Sequence, residues 1–187
     1  MNNNQKTAGK IKYFGNIRVM VVCALLIAMS IAFGKLLAFN IGNSIRISFE
    51  NLPILMAGIF FGPLAGLAVG AGADIIGCLI VGYAINPYIT AGAALVGLAA
   101  GLFQMMMLND RKLMSICGSV MTAHVIGSMI TKSLGLYIYY STPVPVLLTR
   151  IPLYICIGAV ETYIIYLLTK NKSFSELIEK VRTNGRF

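Results

Sequence analysis

Apolar stretches, each closed by a short break that holds most of the charged residues, constrain this chain more than any other feature. About 20 consecutive apolar residues cross the hydrocarbon of a bilayer as a helix. Runs near 17–39, 64–82, 88–108, 113–138 and 145–169 reach that scale. A further run near 52–61 is too short for a full span and predicts a strongly tilted or partial crossing. With 58% hydrophobic and 11% charged residues over 187 positions, the chain lies far from the composition of soluble domains. The expected fold is an all-α membrane protein, a compact bundle of six transmembrane helices over residues 17–169. A basic segment, 1–16, precedes it, and a tail, 170–187, follows as a short solvated appendage. No small-residue cleavage site precedes a mature domain, so the first run reads as a span rather than a removable signal.

The cations then orient the bundle. Lys6, Lys10, Lys12 and Arg18, then Arg111 and Lys112, then Lys170, Lys172, Lys180, Arg182 and Arg186 fall at alternate breaks, which the positive-inside rule places in the cytoplasm. Both termini are expected there. The segments 40–51, 83–87 and 139–144 face outside, the first being a long loop between the first two helices. The formal net charge of +9 does not point to nucleic acid, because the cations are dispersed between spans rather than gathered on one face. Cys23, Cys78, Cys117 and Cys156 each stand alone in an apolar segment, without a CxxC pair or a histidine at metal spacing, so neither a zinc site nor a disulfide framework is indicated.

Charged groups inside spans cost a few kcal/mol on insertion scales and usually face a cavity or a partner. Those here are Lys35, Asp74, His124, Lys132, Arg150 and Glu161. At about 100° per residue, His124, Ser128 and Lys132 share one stripe of the fifth helix, and Arg150 and Tyr154 share a face of the sixth. With Arg46 and Glu50 of the outer loop they converge on a cavity open to the outside. Four of them also have a structural explanation: His124 as a bonded core histidine, Lys35 as a snorkelling lysine, Asp74 as the partner of a neighbour such as Lys132, Glu161 as a hydrogen-bonding or subunit-contact group. Asn86-Pro87-Tyr88 fits an N-cap with proline at the first helical position. That can be its whole role, although an outward helix N-terminus also attracts anions. The stretch 45–51 alternates with period 2, as an extended lid with one face to the pocket and one to water would.

Ala24, Ala28 and Ala32 form a small-xxx-small stripe on the first helix. GSMITKS at 127–133 lacks the glycine before the lysine that a phosphate loop requires, and GAGADIIG fails the dinucleotide spacing. No nucleophile, base and orienting group stand together, so an enzyme is not expected.

The alanine stripe, the loop ending Phe49-Glu50-Asn51-Leu52-Pro53, the turn Phe61-Gly62-Pro63 and Gly-Ala-Asp-Ile-Ile-Gly at 72–77 together resemble the substrate-binding S components of energy-coupling factor (ECF) vitamin transporters. Arg-Ile-Ser-Phe-Glu-Asn-Leu-Pro at 46–53 and Arg150-Ile-Pro152 look most like the folate-specific members. The resemblance implies a multi-pass protein of the bacterial cell membrane that captures a vitamin outside and needs no cofactor. It would dock on a transmembrane coupling subunit joined to two cytoplasmic ATPases, with Ala24, Ala28 and Ala32 as the docking face.

Folate is also favoured by the chemistry of the residues. Its glutamate carboxylates suit Arg46, Lys132 and Arg150, or some of them. Its pterin presents adjacent donors to Asp74 or Glu50, and its rings suit Phe39, Phe49, Tyr83, Tyr88 and Tyr154. Asn86 and His124 complete the candidate substrate-binding set. The alternatives are an S component for riboflavin, a pyrimidine or a queuosine precursor, and an autonomous small secondary transporter.

Overall fold

The structure, a computed structural model, describes residues 17–41, 45–107 and 112–183. Helix α1 (Ile17–Ile31) continues into a π-helical turn at Ala32–Leu36. A short antiparallel ribbon follows, β1 (Phe39–Ile41) against β2 (Ile45–Ile47), with Asn40 opposite Arg46. Then come α2 (Asn51–Phe61), α3 (Pro63–Val81), α4 (Pro87–Met106), α5 (Leu113–Ala123), a π-helical segment (His124–Thr131), α6 (Lys132–Tyr140), α7 (Val144–Lys170) and α8 (Lys172–Thr183). Lys6, Lys10, Lys12, Arg111 and Arg186 lie outside the described residues.

Among the described residues, five helical stretches are long and apolar enough to cross a membrane: Ile17–Lys35, Pro63–Val81, Pro87–Met106, Leu113–Tyr140 and Val144–Lys170. Large apolar side chains remain exposed along them, Met20, Leu25, Leu79, Ile80, Ile130 and Tyr163 among them, as lipid-facing surfaces require. The protein is a multi-pass membrane protein. Of the six expected spans, α2 alone lacks the length, since 11 residues rise only about 16 Å. All of its residues are buried, so α2 is the core element around which α1, α3 and α4 pack.

Local chemistry sets the boundaries. Gly62 ends α2 with φ 98°, a left-handed conformation that glycine adopts without a Cβ penalty, and Pro63 starts α3 at a position where no N–H is needed. The Asn86 side chain accepts from the backbone N–H of Tyr88 (3.0 Å) and Ile89 (3.4 Å), capping α4. Backbone approaches backbone where Gly66 of α3 meets Gly97 of α4, leaving no room for a Cβ at either position.

One expectation needs correction. Most of the segment after Lys170 is not a solvated appendage: α8 buries Ile178 to 3% exposure and sets Phe174 edge-on against Phe60 of α2 at 5.5 Å. Phe174, Ile178 and Val181 recur at helical spacing and join the core, and hydrophobic burial outweighs the solvation that the intervening charges favour.

Candidate functional site

A cavity of about 460 Å³ lies between the loop before α2, α6 and the first half of α7, within the range of small-molecule sites. Its wall comes from helical spacing: Lys132, Leu136 and Tyr140 stand at four-residue intervals on α6, as do Val146, Arg150 and Tyr154 on α7. Ser48 and Glu50 close one side and Ile89 of α4 another. Leu147 and Leu153 add apolar surface; Thr142 and Thr149 add hydroxyls.

Among the described residues, two cations face this space. The Lys132 ammonium donates to Glu50 Oε1 at 3.0 Å and to Asn51 Oδ1 at 3.3 Å. Arg150 Nη2 donates to the Tyr154 hydroxyl at 3.1 Å, and the guanidinium lies over the Tyr154 ring, 5.3 Å from its centre. Arg150 Nη1 is buried and has no hydrogen-bond partner among the described residues. A buried charged donor without a partner is costly. The carboxylate of Glu50, 31% exposed, is the anionic group on the same wall.

Behind the wall, His124 is fully buried. Its Nε2 lies 2.5 Å from Glu161 Oε2, its Nδ1 3.4 Å from Ser128 Oγ, and its ring 5.3 Å from that of Tyr154. Asn51 Nδ2 donates to the same serine at 3.4 Å. The stripe His124, Ser128, Lys132 is thus turned inward as a line of buried polar groups.

Glu50, Lys132, Arg150 and Tyr154 are brought together on the cavity wall. His124 stands directly behind Tyr154. Phe49 packs half-buried against the core. Asp74 accepts from Thr90 Oγ1 at 2.6 Å and lines, with Lys35, Glu50 and Lys132, a much smaller recess of about 20 Å³, room for about one water molecule. Tyr83 is exposed with the Lys35 ammonium 5.2 Å from its ring centre. Tyr88 leans on Tyr139 at 5.9 Å, Asn86 caps α4, and Phe39 is exposed on the ribbon. The Arg46 side chain lies outside what is described. Ser48, Tyr140, Thr142 and Thr149 enter the wall without having been singled out in the sequence. Tyr140 alone had a usable signal, two steps of four beyond Lys132.

A family model described as "ECF-type riboflavin transporter, S component" matches residues 15–172. The chain is 38% identical over 64 residues to the "Folate transporter FolT" of Clostridium novyi (strain NT), a stretch that spans 34% of this chain and 37% of that relative. A second relative, the "Uncharacterized protein MG313 homolog" of Mycoplasma pneumoniae (strain ATCC 29342 / M129 / Subtype 1), is 33% identical over 73 residues, 39% of this chain and 25% of the relative. In both cases the matching stretch spans well under half of the relative. A crystal structure of FolT bound with folic acid superposes with a TM-score of 0.66 at 23% identity, covering 82% of this chain and 93% of that one. An S-component for biotin from an ECF-type ABC transporter superposes with a TM-score of 0.62 at 18% identity, covering 94% and 97%. At these identities the superpositions establish a shared fold.

Proposed function

The chain belongs to the S components of ECF-type transporters, and on that premise we propose that it is a membrane-embedded capture subunit for folate, taken from outside into the cavity between Glu50, Lys132, Arg150 and Tyr154. The observation that carries this reading is Arg150 on the cavity wall, with its Nη1 buried and without a hydrogen-bond partner among the described residues. A guanidinium with donors to spare in a water-poor site suits a carboxylate, and folate brings two on its glutamate. Lys132 supplies a second positive charge, and Arg46 a third candidate on the outer ribbon. Glu50, or Asp74 behind it, accepts from the pterin donors, and Tyr154 offers its ring. The partial likeness to a folate transporter agrees with this chemistry.

Riboflavin is the second reading, favoured by the description of the matching family model. It is uncharged and would leave Arg150 without an anionic partner. Calorimetric titration of the purified protein with folate and riboflavin separates the two: the folate reading expects saturable binding of folate and none of riboflavin at the same concentrations, and the reverse result overturns it.

In this proposal both termini are cytoplasmic, the cavity opens outward, and transport is driven by ATP hydrolysis in two partner subunits reached through a transmembrane coupling subunit. Ala24 and Ala28 are exposed on α1, flanked by exposed Met20, Val21, Leu25 and Met29, whereas Ala32 is half-buried. The upper pair therefore forms the center of the docking face, where small side chains let a partner helix approach closely.

A further inference from the structure

We infer that Glu161, about two turns along α7 from the cavity wall, is a positioning residue for ligand capture: through His124 and Tyr154 it fixes the direction in which Arg150 presents its guanidinium. This rests on the carboxylate-binding role proposed above for Arg150.

The chain of contacts is continuous. Glu161 and His124 are both fully buried and meet at 2.5 Å. The second oxygen of Glu161 has no partner among the described residues, so its hold is spent on the imidazole. A carboxylate at this depth is expensive to keep, and it does not line the cavity. The imidazole lies tilted against the Tyr154 ring, with 5.3 Å between ring centres. Gly158 makes the space for it: a Cβ there would stand 3.2 Å from His124 Cδ2 and 3.2 Å from Met121 Sδ. Tyr154 in turn accepts from Arg150 Nη2 at 3.1 Å and lies beneath the guanidinium.

Pro152 explains why such a splint is useful. It sits inside α7 between Arg150 and Tyr154 and has no N–H for the carbonyl of Leu148, so the turn that carries Arg150 is held less firmly by the helix than its neighbours are. The Arg150–Tyr154 bond crosses the proline, and the His124–Glu161 pair holds the tyrosine from behind. Without that pair the Tyr154 ring can turn, and the guanidinium with it.

A double-mutant cycle on folate affinity tests this. Glu161→Met fills the volume with apolar atoms and is expected to weaken folate binding about ten-fold, a loss typical of one misdirected charge-assisted contact. Glu161→Gln, which can still bond the imidazole, is expected to stay within about two-fold of wild type. In an Arg150→Ala background, Glu161→Met is expected to cause no further loss. Gly158→Ala pushes the imidazole while keeping every charged group; it is expected to cost about three-fold in the wild-type background and nothing with Arg150→Ala, and it carries the test should Glu161→Met not fold. A role confined to stability would give the same loss in both backgrounds, or a lowered melting temperature with unchanged affinity; either overturns the inference. A wild-type protein that ignores folate would instead overturn the reading of the cavity, which a wild type that binds folate alongside a silent Glu161→Met would leave standing.

Discussion

Lys132 on α6 holds Glu50, 82 positions earlier in the chain, through a 3.0 Å bond from its ammonium to the carboxylate. The same glutamate is fixed at its backbone, where its carbonyl accepts from Ser30 Oγ of α1 at 2.6 Å. The segment joining the ribbon to α2 is therefore tied to two helices, and the tie forms part of the cavity wall. Lys132→Met leaves the carboxylate without this partner. Because Glu50 is 31% exposed, water recovers part of the loss, and we predict a destabilisation of about 1–2 kcal/mol. Thermal unfolding in detergent measures it. Folate affinity should fall as well; an unchanged Kd would remove Lys132 from the site.

Asn86 separates capping from ligand contact. Its side-chain oxygen serves the first N–H groups of α4, and it is not on the cavity wall. Asn86→Ala should cost about 1 kcal/mol of stability, and Asn86→Asp, which keeps an acceptor at the cap, should recover most of it. Folate affinity is expected to be unchanged in both. A selective loss of affinity at full stability would assign Asn86 to the ligand.

The glycines differ in what surrounds them. A Cβ on Gly97 would meet the backbone of Gly66, which cannot move without separating α3 from α4. Gly97→Ala is expected to destabilise by about 3 kcal/mol or more. A Cβ on Gly77 meets only Lys35 Cε at 3.3 Å and Ile31 Cγ1 at 3.6 Å, side-chain atoms that can shift. Gly77→Ala should lie within about 1 kcal/mol of wild type, helix propensity offsetting the crowding. Equal melting temperatures for the two variants would contradict this account of the helix contacts.

Docking can be tested apart from capture. Ala28 is exposed on α1 and distant from the cavity-lining residues in sequence and element. Ala28→Trp is predicted to leave folate affinity within about two-fold of wild type while abolishing co-purification with the coupling subunit. Retained co-purification would move the docking surface elsewhere.

Much of the helical plan was legible because apolar run length and boundary chemistry are local: Phe61-Gly62-Pro63 and Asn86-Pro87 mark their breaks without reference to anything distant. The cavity was legible in part for a related reason, since Lys132 and Arg150 are cations where lipid is expected, and so are informative by themselves. Their partners were not legible. Nothing near Lys132 in the chain points to Glu50, and which of two carboxylates it meets is decided by how α2 packs. The π-helical segment at His124–Thr131 has no sequence mark, yet it sets which residues of the stripe turn inward. The apolar spacing of Phe174, Ile178 and Val181 is set among charges, and only the fold, by placing Phe60 of α2 beside Phe174, gives that face something to cover.

The proposed function stands on recognition of a vitamin's carboxylates by Arg150 and its neighbours. The most direct measurement titrates the wild-type protein calorimetrically with folate and with folate whose two glutamate carboxylates are converted to amides. Folate is expected to give a single-site isotherm, and the diamide to bind more weakly by about 2 kcal/mol or more, roughly 30-fold. Equal affinities for the two compounds, or heat from riboflavin alone, would contradict it.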